Sequence, residues 1–449
     1  MHIVIIGAGS VGFHVATQLI EENKDVVLIE KDPVRARYAD THLDCLVLND
    51  EGNNIEVLKK AGIHKADFFI SVTNSDEVNM ISCGLVSSTF NVPCKIARVR
   101  NLDYSRAEIL DKHFLGIDFM VNPEVEAARV ITHTVLQGAV SDVMVFEKTN
   151  VQMRSLVVDS RSFFLDKTLR EIKTLINEEF LIAGINRGQS VIIPSGSTRV
   201  LESDKLYLVS NRANLEKVFA KSGRQITPIK SVVIVGGGSI GTYVTEQLIP
   251  HGLTLRIIES DYERCKELSS RFPEALIINA DISDEGIFDE EQLHHQDLII
   301  TTTENQELNI LAATYGKSRG IRRAIALVGK SNYLTIASNL GIDATISPKS
   351  SSADTILKYI RGSNIQSVHS IFNGKAEVIE MSIVSANGIT DVPLKELRMP
   401  GNSLIVSVTR GDSNFVPNGD FVMLAKDNVL IIAKKRSIPK IESMFLKNP

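Results

Sequence analysis

The run HIVIIGAGSVG (His2–Gly12) recurs as SVVIVGGGSIG (Ser231–Gly241), and no other feature constrains the chain as strongly. Each copy is a β-branched apolar run that ends in G-x-G-x-x-G, with Gly7, Gly9 and Gly12 in the first and Gly236, Gly238 and Gly241 in the second. A strand, a glycine turn and a helix in that order predict the start of a βαβ unit. The likeness extends well beyond the loop. Under a shift of 229 residues, Val15, Gln18, Leu19, Ile20, Ile29, Glu30, Asp32 and Arg35 fall on identical residues of the segment that ends at Arg264. DFFISVTNSDEVN (Asp67–Asn79) lies on DLIITTTENQELN (Asp297–Asn309), and RGQSVIIPSG (Arg187–Gly196) lies on RGDSNFVPNG (Arg410–Gly419). The chain is a tandem duplication, and its fold must be one that a half-chain can specify.

Each half reads as two pieces. Short β-rich runs at Ile3–Ile6, Val26–Ile29, Cys45–Leu48, Phe68–Val72 and Lys95–Val99 alternate with helical patterns. That alternation predicts a doubly wound parallel sheet of the Rossmann-like α/β class. It covers 1–140 and again 230–365. A smaller β-rich α+β domain follows each, over 141–222 and 366–449. Its signature is a hairpin joined at Arg187-Gly188-Gln189, and the polar stretch Lys221–Lys230 reads as the linker between halves. Asn122-Pro123 and Ser347-Pro348 each open a helix, as a cap followed by proline should. The first presents Val125, Ala128, Ile131 and Val135 at helical spacing, a stripe that suits either its own sheet or a partner.

Charge and hydropathy exclude several classes. The formal net charge of −5 leaves no basic footprint for nucleic acid. No apolar stretch approaches 18 residues, so the chain is not expected to span a membrane by itself. Cys45, Cys83, Cys94 and Cys265 form no C-x-x-C pair, which fits a reducing compartment and suggests no structural metal.

The glycine loops point to a nucleotide. The first glycine permits a tight turn, the second lets backbone N–H groups approach a pyrophosphate, and the third lets helix and strand pack closely. Ala8, Ser10 and Val11 complete the first loop, and Gly237, Ser239 and Ile240 complete the second. Glu30 and Glu259 end the following strands, where a carboxylate accepts ribose hydroxyls and repels a 2′-phosphate. Further along the carboxyl edge stand Asn49 and Asp50, with Ala280 and Asp281 opposite them, and Thr73-Asn74, with Thr303-Glu304. Arg98 can neutralise a phosphate through its planar fork, or can be a surface charge; the second half has Leu327 there. A fold that has lost its ligand is the alternative at each loop.

Catalytic residues are harder to find. Among ten histidines only His64 and His294 correspond between halves, and both precede the fourth strand, at the edge opposite the ligand. His294-His295 reads as a turn or a metal pair. There is no G-x-S-x-G, Walker lysine or H-E-x-x-H. Two nucleotide pockets without chemistry suggest a sensor. An NAD-dependent oxidoreductase and a scaffold with vestigial pockets are the alternatives.

The glycine fingerprint, Glu30 and the A-D-x-x-I-x-V-T-x-x-D-E-x-N stretch at Ala66–Asn79 resemble the regulator of potassium conductance domain. Two copies of that domain and of its β-rich companion, over essentially the whole chain, resemble the peripheral NAD-binding subunits of bacterial Trk potassium uptake systems. The resemblance implies a regulator rather than an enzyme. It implies a cytoplasmic ring, a homotetramer, attached at the inner face of the membrane to a membrane-embedded potassium transporter subunit. It also implies NAD or NADH, or ATP and ADP, as regulatory ligands, and assembly through the helices after Asn122 and Ser347. Carried over by position, the first site uses Gly7 to Gly12, Glu30, Asp50, Thr73, Asn74 and Arg98. The second uses Gly236 to Gly241, Glu259, Asp281, Thr303 and Glu304. The second half departs at Gln306, in place of Asp76, and at Leu327. Neither loop carries an internal arginine, which favours NAD over ATP.

Overall fold

The computed structural model describes residues 1–101, 104, 114–136, 144–146, 151–188, 190–222, 228–284, 286–361, 365–371, 376–383, 388–411 and 413–445. The domain edge at 140, the hairpin residue Gln189, the central half of the linker (223–227) and His113 lie outside them. Two compact units result, one of 1–126 with 348–362 and one of 127–347 with 363–449.

The first unit holds a six-stranded parallel sheet of β1 (His2–Ile6), β2 (Asp25–Ile29), β3 (Leu46–Leu48), β4 (Phe68–Ser71), β5 (Cys94–Arg98) and β6 (Phe119–Val121). Its order is β3-β2-β1-β4-β5-β6. β1 pairs in parallel with β2 and β4, Val4 facing Val27 on one side and Phe69 on the other. A central strand buried on both faces favours a near-continuous β-branched run, and His2–Ile6 is one. Strand order reverses between β1 and β4, which opens a crevice at their carboxyl ends. Helix α1 (Ser10–Glu21) starts there, and α2 (Pro33–His42) follows β2. Asp32 caps α2 by accepting from the backbone N–H groups of Val34 and Arg35, with proline at the first helical position.

The second unit repeats the sheet with β12 (Ser231–Val235), β13 (Thr254–Glu259), β14 (Leu276–Asn279), β15 (Leu298–Thr301), β16 (Arg323–Leu327) and β17 (Ala344–Ile346). The order is again β14-β13-β12-β15-β16-β17. The register corrects one pairing of the repeats. Leu48 sits beside Ile29, and Ile278 beside Ile258. Asn49 therefore corresponds to Asn279 and Asp50 to Ala280, so the counterpart of Asp281 is Glu51.

The helices opened by the two prolines are exchanged. Pro348–Arg361 follows the second parallel sheet, yet its Ala353, Ile356, Leu357 and Ile360 are buried with Ile3, Ile5, Val15, Leu19 and Leu28 of the first. Tyr359 stacks on Phe119 at 4.4 Å, and the Thr355 hydroxyl donates to Glu126 at 3.0 Å. Conversely Ala127, Ala128, Ile131 and Val135 of the helix Pro123–Leu136 are buried with Val232, Ile234, Val244 and Leu248. Each fully buried branched side chain contributes about 1.5–3 kcal/mol. Of the stripe read from the sequence, Ala128, Ile131 and Val135 thus serve a partner, the other half of the same chain, while Val125 is half-buried and outside that cluster.

Each small domain is a five-stranded sheet. The first holds β7 (Met144–Val145), β8 (Val151–Val157), β9 (Leu181–Arg187), β10 (Ser190–Ile192) and β11 (Lys205–Asn211) in the order β10-β9-β11-β8-β7, and the second holds β18 (Ile365–Ile371), β19 (Ala376–Ser382), β20 (Ser403–Arg410), β21 (Ser413–Phe415) and β22 (Asn428–Lys434) in the order β18-β19-β22-β20-β21. In the first, β9 (Leu181–Arg187) and β10 (Ser190–Ile192) form the hairpin, with Gly188 at φ +58°. The pair Arg187–Asp204 at 2.7 Å recurs as Arg410–Asp427 at 2.8 Å, with both carboxylates buried. Met153, Tyr207 and Val209 pack in one cluster with Val378, Leu430 and Ile432, which joins the two small sheets face to face.

Candidate nucleotide site

At the carboxyl end of β1 the three loop glycines have different reasons to be glycine. Gly7 has φ +98°, and a Cβ there would lie 3.1 Å from the Thr73 nitrogen. At Gly12 a Cβ would lie 1.9 Å from the Gly7 carbonyl oxygen, so only glycine lets α1 approach the strand. Gly9 differs: its φ of −66° suits any residue, and a Cβ would meet nothing nearer than Arg35 Nη1 at 4.0 Å. The second loop repeats this. Gly236 has φ +100°, a Cβ on Gly241 would meet the Gly236 oxygen at 2.0 Å, and a Cβ on Gly238 meets nothing within 4 Å. The first and third glycines are required by the fold, while the middle one keeps open the space in front of a helix N-terminus. Neither helix has a side-chain cap there, so its first N–H groups are left for an anion. Val11 and Ile240 point into the core, which leaves the backbone and the exposed Ser10 and Ser239 to line the loops.

Glu30 is buried behind the first loop. Its Oε2 accepts from the Ala8 N–H at 2.6 Å and its Oε1 from the Asp32 N–H at 2.9 Å. Glu259 repeats both bonds, from Gly237 at 2.7 Å and Asp261 at 2.9 Å. Each Glu30 oxygen keeps a lone pair for a hydroxyl donor, whereas Glu259 Oε1 also accepts from the Ser260 hydroxyl at 3.3 Å, which leaves Oε2 with the spare lone pair. Beside them Asn49 and Asn279 donate back to the Glu30 and Glu259 carbonyls at 2.8 and 3.1 Å. Asp50 is exposed and accepts from the Glu51 N–H, while Asp281 caps its own turn through Ser283.

The ends of β4 and β5 form the other wall. Thr73 is half-buried with its hydroxyl engaged by Asn79, and Asn74 is exposed beyond it. Arg98 donates from Nη1 to the Thr73 carbonyl at 3.1 Å, while its buried Nε has no acceptor. Burial, and then the Arg100 charge, hold the Arg98 pKa below its ordinary value against the opposing pull of Asp76 and Glu124. In the second half Thr303 repeats Thr73, Glu304 is exposed, and Leu327 leaves no cation. The change from Asp76 to Gln306 has a structural explanation. Asp76 Oδ2 accepts from the N–H groups of Arg100 and Asn101, and Gln306 Oε1 accepts from those of Gly329 and Lys330. Both side chains brace the same turn.

Two pairs were not singled out as site residues from sequence. Asn79 and Asn309 organise the wall, and their signal was identity between the repeats. Arg35 and Arg264 reach the loops from the first turn of the next helix, and they too coincide between repeats. The duplicated histidines lie in short turns ahead of β4 and β15, at the far edge from the loops. Among the described residues no cluster of metal-ligating side chains occurs, and no helix is long and apolar enough to cross a membrane.

Comparison with known proteins fits this geometry. The TrkA-N domain model matches residues 3–123 and 232–348, and the TrkA-C domain model matches 153–223 and 378–446. The Trk system potassium uptake protein TrkA of Azorhizobium caulinodans is 31% identical, over 99% of this chain and 98% of its own length. The homolog of Archaeoglobus fulgidus is 33% identical, over 99% of this chain and its whole length. Among solved structures, the GsuK channel bound to NAD superposes with a TM-score of 0.59 at 17% identity, over 99% of this chain and 79% of that one. The GsuK RCK domain gives 0.58 at 16%, over 99% and 95%. With both domain models matched twice in alternation and near-complete relatives at this identity, the chain belongs to the TrkA family.

Proposed function

We propose that the chain is the nucleotide-sensing regulatory subunit of a potassium uptake system. NAD or NADH binds across each glycine loop, and binding shifts the domain arrangement that a membrane-embedded transporter subunit contacts. The observation that carries this reading is the open space at Gly9 and Gly238. In both halves it fronts an uncapped helix N-terminus and a carboxylate that accepts two backbone N–H groups, buried at Glu30 and half-buried at Glu259, a cradle that fits a pyrophosphate and its ribose. The free Nε of Arg98 adds a donor at the first site only. ADP and ATP share the adenosine phosphate portion and compete for the same loops. Regulation is favoured over hydride transfer because the duplicated histidines lie at the opposite sheet edge and the relatives are potassium uptake proteins. The subunit acts at the cytoplasmic face of the membrane as a homo-oligomer, a tetrameric ring.

A ligand gates such an assembly only through a difference in its affinity for two arrangements. The test is potassium uptake at limiting external potassium in a strain that lacks the protein. Wild-type chain should restore uptake, and a well-expressed Gly9→Leu, Gly238→Leu variant should not respond to nucleotide. Full uptake without the protein, under conditions where the transporter is needed, would overturn the reading.

A further inference from the structure

The two loops are repeats, yet their arginines are used differently. Arg35 and Arg264 occupy the same position of the duplicated motif, and each donates its backbone N–H to the preceding aspartate cap, at 3.1 and 2.8 Å. The Arg264 side chain then folds back onto the second loop. Its Nε donates to the Gly237 carbonyl at 2.9 Å, its Nη2 to Thr242 Oγ1 at 2.9 Å and its Nη1 to Glu267 Oε2 at 2.6 Å. Thr242 is buried and also donates to Gly237 O at 3.1 Å, so loop, helix and guanidinium form one closed network.

The first loop has lost both side-chain partners. Phe13 stands where Thr242 does and Tyr38 where Glu267 does, and the two rings contact each other at 5.4 Å. Arg35 is exposed and its guanidinium makes no hydrogen bond to a described residue. Its Nη1 is the nearest atom to the open position at Gly9. An exposed cation with no hydrogen-bond partner of its own among the described residues, beside an uncapped helix N-terminus, adds charge-assisted donors to any phosphate held there. A guanidinium already held by three acceptors must break those bonds to do the same.

We propose that Arg35 is a phosphate ligand of the first loop, and that Thr242 and Glu267 lock the equivalent Arg264, so that the two sites differ in their demand for phosphate. The first selects the diphosphate of an adenine nucleotide, and the second gains little from it. This rests on the reading of both loops as adenine-nucleotide sites, and it supplies from a neighbouring helix the cation that neither loop contains.

Single-site forms test it by calorimetry on the full chain. Gly238→Leu leaves the first site and Gly9→Leu leaves the second, with ADP and adenosine as ligands. In the Gly238→Leu form, adding Arg35→Gln should weaken ADP at least ten-fold and leave adenosine within two-fold. In the Gly9→Leu form, adding Thr242→Val with Glu267→Gln should strengthen ADP several-fold without changing adenosine. The surface change Glu267→Gln alone should give part of that gain with the fold undisturbed. ADP binding that is intact and indifferent to these substitutions overturns the proposal. If wild-type chain binds neither ADP nor NADH, the nucleotide reading itself falls, and the proposal with it.

Discussion

Asn79 holds Thr73 by both ends of its amide. Asn79 Oδ1 accepts from the Thr73 N–H at 2.8 Å and the Thr73 hydroxyl at 2.7 Å, and Nδ2 donates to the Thr73 carbonyl at 3.2 Å and the Arg98 carbonyl at 2.8 Å. Asn309 repeats the four bonds, to Thr303 at 3.0, 2.7 and 2.9 Å and to Leu327 at 3.0 Å. One buried amide thus pins the ends of two adjacent strands to the helix behind them. It also places the Thr73 and Thr303 backbone against the first glycine of each loop. Thr73 therefore shapes the site with its backbone, while its hydroxyl is engaged inward.

Replacing Asn79 by alanine strands the Thr73 N–H and the Ser71 hydroxyl without their acceptor, and leaves the Thr73 hydroxyl only the Ser75 carbonyl at 3.2 Å. Unsatisfied buried groups of this kind cost about 1–3 kcal/mol each before relaxation. Asn79→Ala should destabilise the first unit by about 2–4 kcal/mol, and Asn309→Ala should destabilise the second comparably. Denaturant unfolding followed by circular dichroism checks this. A change below about 0.5 kcal/mol, the scatter of neutral surface substitutions, would show that the amide is dispensable.

The glycines separate folding from binding. Gly12→Val places a side chain on the Gly7 carbonyl and should cause loss of soluble protein or a large fall in Tm. Gly9→Val points into open space and should leave Tm within a few degrees while removing the part of the NADH stabilisation that comes from the first loop. The pair Gly241→Val and Gly238→Val should behave alike. Thermal shifts with and without NADH read both effects, and equal damage from the Gly9 and Gly12 changes would contradict the division of roles.

Much of this was legible in the sequence because it is local and repeated. Strands rich in Val and Ile alternate with capped helices at short range, and a glycine loop followed by Glu30 carries its own geometry. Other features were hidden because they depend on what lies across space. A helix with Ile131 and Val135 on one face has the same stripe whichever sheet it covers, so the exchange between halves left no mark on its pattern. Buried Asn79, early in a helix, reads as an ordinary polar residue until its four partners are in place. The lock on Arg264 needs Thr242 from one helix and Glu267 from another, and neither residue is informative alone. The one-residue offset between Asp50 and Asp281 arose where the loops differ in length and identity is low.

Glu30 should govern the choice between NADH and NADPH. Its carboxylate already accepts two backbone N–H groups, so two further lone pairs are available to ribose hydroxyls. A 2′-phosphate would meet a buried negative charge. Wild-type chain should bind NADPH at least ten-fold more weakly than NADH. Glu30→Gln places an amide donor against the Ala8 or Asp32 N–H and removes the charge. It should weaken NADH several-fold and narrow the ratio between the two cofactors. Fluorescence titration with each nucleotide measures this, and an unchanged ratio in the variant would remove Glu30 from the ribose.

The exchanged helices make each half incomplete by itself. In a fragment of residues 1–222, the faces of Val15 and Leu19 lose the cover of Ile356 and Leu357, while Ile131 and Val135 lose the sheet they pack on. Two such fragments supply each other with what each lacks, because the repeated helix and the repeated sheet face are homologous. The fragment should therefore run as a dimer in light scattering. In the full chain, Leu357→Ala should cost the first unit about 2–5 kcal/mol, as expected for a fully buried leucine. A well-folded monomeric fragment would mean that the helix can return to its own sheet, and that the exchange is a choice between two packings of similar energy rather than a requirement of the fold.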